Sequence, residues 1–205
     1  AYGIQKNYDA DYFVIYDIPN ETRKFFSKQN FLKFNKSWFF FDHIKKTKTL
    51  PNYEYLNYFE EKYDINLWKL AINERIFYRF FDFHKFTTEE ICSILEQECR
   101  LFEKILDEVN PDFIITKYAS RHHHELFYKL CISRGIKVLT LSKTNLGTKT
   151  MISETAHTFD SKINWNDIKS EGKTLEEIIN NDNVGFNVKN QAEELLAYAK
   201  HRMGI

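Results

Sequence analysis

Between residues 87 and 141 the apolar and polar positions change period in an order that predicts helix, strand, polar loop, helix and strand. Apolar residues recur at Ile91, Leu95, Cys99, Phe102, Leu106 and Val109, steps of three and four that keep one helix face continuous. Thr87 and Glu90 have the spacing of a capping box, with Phe86 and Ile91 placed as a hydrophobic staple. Pro111 stops the helix, and Phe113, Ile114, Ile115 and Thr116 form the short apolar run expected of a buried parallel strand. Leu126, Phe127, Leu130 and Cys131 mark a second amphipathic helix closed by Gly135, followed by a strand over Lys137, Val138, Leu139, Thr140 and Leu141. Strand, crossover helix and strand make a βαβ unit of right-handed sense. The intervening loop carries Ser120, Arg121, His122, His123 and His124, beyond the carboxyl end of a strand, where ligands of such sheets bind.

The front half is read in the same way. Residues 12–16 predict a buried strand ending at Asp17, and residues 38–41 a second strand ending at Asp42 and His43. Tyr55, Tyr58, Phe59 and Tyr63 give one helix face. Ile65, Leu67, Trp68, Ala71, Ile72, Ile76 and Phe77 give a second helix, with Arg75 and Arg79 on its wet side. Residues 154–172 are polar and carry no clear period. Thr174 and Glu177 again make a capping box, and Val188, Ala192, Leu195, Leu196, Ala199 and Met203 line a final helix. The pattern is that of an α/β, Rossmann-like domain with a mainly parallel sheet flanked by helices over residues 1–152. Residues 153–205 follow as a polar segment and C-terminal helices that pack on it or on a missing second domain.

Composition narrows the functional classes. Lys and Arg total 29 and Asp and Glu total 29, so a net charge of zero argues against broad electrostatic binding of nucleic acid. The 19 Phe and 12 Tyr fall at core spacings, which favours a ring-rich core over base stacking. No apolar run approaches the roughly 20 residues of a membrane span. No signal peptide is visible, and three cysteines without metal-type spacing point to reduced core thiols and a cytoplasmic protein.

The histidine run invites a metal reading, but adjacent residues on a helix point about 100° apart. No carboxylate or cysteine stands at a zinc-type spacing from the run, and no metal is expected. A helix start that binds an anionic or sugar ligand is one expectation, with Ser120, Arg121 and His123 as ligand-binding residues; a merely solvated polar helix start is the other. Asp17, at the end of its strand, is either a turn residue before Pro19 or a carboxylate facing the same crevice as His122 and Lys143. In the second case Asp17 or His122 is the general base, and Lys143 and Asn145 orient a ligand. No P-loop, GxGxxG or GxSxG pattern is present.

The stretches YEYLNYFEEKYDINLWKLAINERIFYRF, FHKFTTEEICSILEQECRLFEKILDEVNPDFIIT and RGIKVLTL resemble the N-terminal region of capsule and surface polysaccharide biosynthesis proteins, over residues 53–152. Those are glycosyltransferases of the GT-B type, with two Rossmann-like domains facing a cleft. The resemblance implies the acceptor-side half of such an enzyme, acting on a glycan or lipid-linked hydroxyl, in the cytoplasm or at the inner membrane surface. It implies no metal and no cofactor held by this half; a nucleotide sugar donor would bind a missing C-terminal domain, without which the fragment is expected to be inactive. The alternative is a non-catalytic Rossmann-like module for ligand binding or protein interaction.

Overall fold

A computed structural model describes residues 2–47, 49–79, 84–117, 121–143 and 150–154, together with 177, 180, 189, 193, 196 and 197. The chain is mixed α/β. Its elements run α1 (Tyr2–Asn7), β1 (Phe13–Tyr16), α2 (Asn20–Lys28), β2 (Lys36–Phe39), a 3₁₀ turn (Phe40–Asp42), α3 (Tyr53–Tyr63), α4 (Leu67–Ile72), α5 (Arg75–Tyr78), α6 (Thr88–Val109), β3 (Phe113–Lys117), α7 (His122–Ser133), β4 (Lys137–Lys143) and β5 (Thr150–Ser153). It divides into two units, Ala1–Ile114 with Ala119–Val138, and Ile115–Tyr118 with Leu139–Ile205.

In the first unit β1 and β2 pair in parallel, from Phe13 opposite Lys36 to Tyr16 opposite Phe39. Asn35 sets the register at the entry. Its side-chain oxygen accepts from the Tyr12 amide at 3.0 Å and its own amide donates to the Tyr12 carbonyl at 2.7 Å. The pair delivers Asp17 at the carboxyl end of β1. The strand expected at residues 38–41 lies two residues earlier. Phe40 leaves the ladder because its ring is buried against Phe102, 6.0 Å between centroids, and the backbone tightens into a 3₁₀ turn that leaves Phe41 half exposed.

The core is helical. Leu56, Phe59 and Tyr63 of α3, Leu67, Leu70 and Ala71 of α4, and Phe77 of α5 join Leu95, Cys99, Phe102 and Leu106 of α6 and Leu126, Leu130 and Cys131 of α7. Burying each large side chain of this kind contributes roughly 1.5–3 kcal/mol. The 22 residues of α6 begin at a complete capping box, Thr87 Oγ1 accepting from the Glu90 amide and Glu90 returning to the Thr87 amide. The helix ends at Asn110, which adopts the left-handed conformation with φ 45°. The single helix expected across residues 65–77 is two. Asn66 caps α4, and the chain breaks after Ile72 so that Glu74 can cap α5, its carboxylate accepting from the Ile76 amide at 3.3 Å.

The remaining sheet has the order β3-β4-β5, with β4 and β5 antiparallel from Thr140 opposite Ser153 to Lys143 opposite Thr150. β1 and β2 form a separate two-stranded sheet. The C-terminal helices expected from the pattern fall mostly outside the described residues; Glu177, Lys189, Glu193, Leu196 and Ala197 are helical. No helix among the described residues is long and apolar enough to cross a membrane.

Candidate functional site

The first turn of α7 lacks a side-chain cap of its own. Arg121 at the N-cap is extended and makes no capping bond. Glu74, brought in by the break between α4 and α5, supplies the missing acceptor. Its Oε2 accepts from the His122 amide at 2.9 Å and from His122 Nδ1 at 2.8 Å. On the other edge of the ring His122 Nε2 lies 2.9 Å from Glu98 Oε1, on α6. The Phe77 ring packs 4.9 Å away and closes the remaining face. Only 7% of the His122 side chain and 1% of the Glu98 side chain meet solvent.

Burial alone would drive His122 toward the neutral form, but the hydrogen bonds its ring makes to Glu74 and Glu98 outweigh it and raise its pKa to about 9. Glu74 moves the other way: burial opposes its ionisation, and its bonds from the His122 ring and amides bring it down to about 2. An imidazolium held between two carboxylates has both N–H groups committed and no lone pair for a proton. His122 is therefore a poor general base, which changes the role expected for it. The same geometry shows that the first amide of α7 is already satisfied by a protein carboxylate.

The next two histidines turn toward β1. His123 stacks on Phe40, 4.4 Å between ring centroids, and its Nε2 lies 3.3 Å from Asp17 Oδ2. His124 Nε2 reaches the same oxygen at 2.9 Å. Arg121 Nη1 stands 3.6 Å from the other oxygen, Oδ1. The Asp17 carboxyl is held well below the usual carboxylate range, first by the hydrogen bond from His123, then by that from His124, against the opposing effect of burial. The expectation that adjacent helix residues diverge does not hold at this turn: one ring nitrogen each of His122 and His123 lies within 4.8 Å of the other and of a Glu98 oxygen. At the first turn two rings of one helix converge on one oxygen of a strand end.

Asp17, His123, His124 and, at the rim, Arg121 are assembled by the fold, with side-chain exposures of 20%, 6%, 22% and 53%. Asp17 meets His123 and His124 rather than His122. Ser120 and Asn145 lie outside the described residues. Lys143 ends β4, in the second unit, and its side chain is outside what is described. Sequence reasoning missed Glu74 and Glu98. Glu98 carried a signal: it falls between Leu95 and Phe102 on the apolar stripe of α6, a place where a carboxylate needs a buried partner. Glu74 gave none, because its value depends on a helix break.

The arrangement combines a buried ionic clamp with a carboxylate–imidazole array that reaches the surface. Such an array can orient a hydroxyl, carry a proton, or coordinate an ion. Comparison with family models, curated proteins and solved structures finds no match to this chain.

Proposed function

We propose that this array is the working centre of the acceptor-side domain of a glycosyltransferase in capsule or surface polysaccharide synthesis. The reading rests on the resemblance over residues 53–152 together with one observation of geometry. Asp17, at the carboxyl end of the parallel pair β1 and β2, meets the first turn of α7 and has Arg121 beside it at the solvent edge. Ends of parallel strands are where α/β enzymes place ligands.

In this reading the chain contributes one Rossmann-like half of a GT-B architecture in the cytoplasm. A sugar or lipid-linked hydroxyl docks against Asp17 and Arg121. Its oxygen attacks the anomeric carbon of a nucleotide sugar, the bond to the nucleotide phosphate breaks, and the hydroxyl proton passes to His124, whose ring Asp17 orients. His122 positions the helix start and does not take the proton. The test is transfer of labelled sugar by the complete gene product. Asp17→Asn is expected to abolish most of it and Arg121→Ala to raise the acceptor KM. Unchanged transfer in both variants rejects the assignment.

A second reading is a non-catalytic binding or interaction module, which the clamp leaves without an anion site at the start of α7. Glu74 neutralises the α7 amide and ring where an anionic ligand would otherwise sit. Ligand binding without turnover, in the complete gene product, would select this reading.

A further inference from the structure

We propose that Asp17, His123 and His124 form a site for one divalent transition-metal ion of the zinc class, with a further position open to an anionic or hydroxyl ligand. It rests on the reading that this array faces the ligand.

The donor set points to the ion. Two imidazoles and one carboxylate are a borderline-soft combination that suits zinc-like ions, whereas magnesium and calcium take oxygen donors. Three protein ligands also leave a vacancy in the first shell, the pattern of sites that act on a bound molecule rather than hold a fold together. The distances agree. With metal–ligand bonds of about 2.0–2.1 Å, ligand atoms around a tetrahedral ion stand roughly 3.3–3.4 Å apart. The Asp17 oxygen lies 3.3 Å from His123 Nε2 and 2.9 Å from His124 Nε2, and one atom from each of the three residues falls within 4.8 Å of the others. A few tenths of an ångström of opening admits the ion.

The second observation concerns unsatisfied atoms. Among the described residues, four buried side-chain polar atoms lack a hydrogen-bond partner, and two of them belong to the proposed ligands, Asp17 Oδ1 and His124 Nδ1. Buried polar groups are nearly always paired, and an ion bound through both Asp17 oxygens would give Oδ1 its partner. Glu98, 1% exposed, also lies within 4.8 Å of the ring nitrogens of His122 and His123. Arg121, more than half exposed and close to Asp17, would meet the negative charge of a phosphate or carboxylate bound to the ion.

The experiment titrates the full 205-residue chain with Co²⁺ and Zn²⁺ alone. The expected result is one equivalent, a visible Co²⁺ spectrum of tetrahedral or five-coordinate type, displacement by Zn²⁺ and no competition from excess Mg²⁺. Asp17→Asn and His124→Ala should each weaken Co²⁺ binding by about 100-fold or more, on the scale that even outer-shell losses reach 10–100-fold. His84→Ala, at an exposed histidine paired with Glu90, should leave it unchanged. X-ray absorption on the unaltered chain, which needs no variant to fold, should count two imidazole nitrogens on zinc. Binding that survives both Asp17→Asn and His124→Ala, binding lost in His84→Ala, or a zinc shell without two imidazoles overturns the proposal. A bound ion with no sugar transfer by the complete gene product rejects the reaction and keeps the site; transfer that withstands chelation does the reverse.

Discussion

His122 and Glu98, 24 residues apart on two helices, meet through a 2.9 Å contact in a place almost sealed from water. Removing one member of a buried ion pair leaves the other without compensation and costs about 3–5 kcal/mol. Glu98→Ala is therefore expected to lower stability by that amount. Glu98→Gln, which keeps an acceptor for the ring but loses the charge, should cost about 1.5–3 kcal/mol on the scale of a single hydrogen bond to a charged group. Chemical denaturation of the two variants checks the order, and equal losses would mean that packing rather than charge holds the contact.

The three cysteines should fall into two reactivity classes. Cys99 and Cys131 are buried and Cys92 is half-buried, all free. Burial pushes the Cys131 thiol up to about 12 and raises Cys99 as well, so neither supplies thiolate at neutral pH. Cys92 is also raised by burial, but less shielded from reagent. A disulfide reagent at pH 8 should titrate one thiol in the native protein, with a rate that climbs toward pH 9, and three after addition of denaturant. Three fast thiols in native protein would place the α6–α7 core in a looser state than described.

Local signals made most of the helical frame legible in the sequence, and tertiary ones explain what was not. The start of α6 could be read from Thr87 and Glu90 because both bonds of the capping box close within four residues. The histidine loop and Asp17 could be placed at element ends for the same reason. Their partners could not. Glu74 and Glu98 reach His122 across 48 and 24 residues, and Asp17 reaches His124 across 107, distances at which periodicity carries no pairing information. The strand at residues 36–39 was misregistered because four consecutive aromatics do not reveal which ring leaves the sheet for the core. A carboxylate on an apolar stripe, as at Glu98, is the one overlooked sign that a buried cation stood opposite.

The ends of α6 permit a graded test of the same local rules. Thr87→Ala removes an acceptor for the Glu90 amide and should cost about 1 kcal/mol. At the other end Asn110 sits at φ 45°. Asn110→Ala should cost roughly 1 kcal/mol, whereas Asn110→Gly should be close to neutral because glycine meets no penalty there. The two sites lie at opposite ends of the helix, so the losses in Thr87→Ala/Asn110→Ala should add to within about 0.5 kcal/mol.

Glu103 predicts a stability plateau with two distinct edges. Its carboxylate accepts from the Tyr55 hydroxyl at 2.6 Å and the Tyr63 hydroxyl at 2.7 Å, with Lys62 at 3.3 Å and Arg134 Nη2 donating to Tyr63 at 2.8 Å. Burial resists ionisation of Glu103, but the two tyrosine bonds and Lys62 hold its pKa below the usual value. Its contribution is therefore complete above the ordinary carboxylate range, about pH 4.3, and disappears as pH falls through the depressed folded-state value. Tyr55 is raised, by burial and then by its bond to Glu103, so its contribution is complete below about pH 10 and is lost as pH rises beyond. Thermal midpoints of Glu103→Gln should lose part of the acid-side dependence of the unaltered chain, and those of Tyr55→Phe part of the alkaline-side dependence. Tyr55→Phe should also cost about 1.5–3 kcal/mol at neutral pH, the worth of one bond to a charged acceptor. If the two profiles differ from the unaltered protein only by a constant offset at every pH, Glu103 and Tyr55 do not share a proton-linked bond in solution.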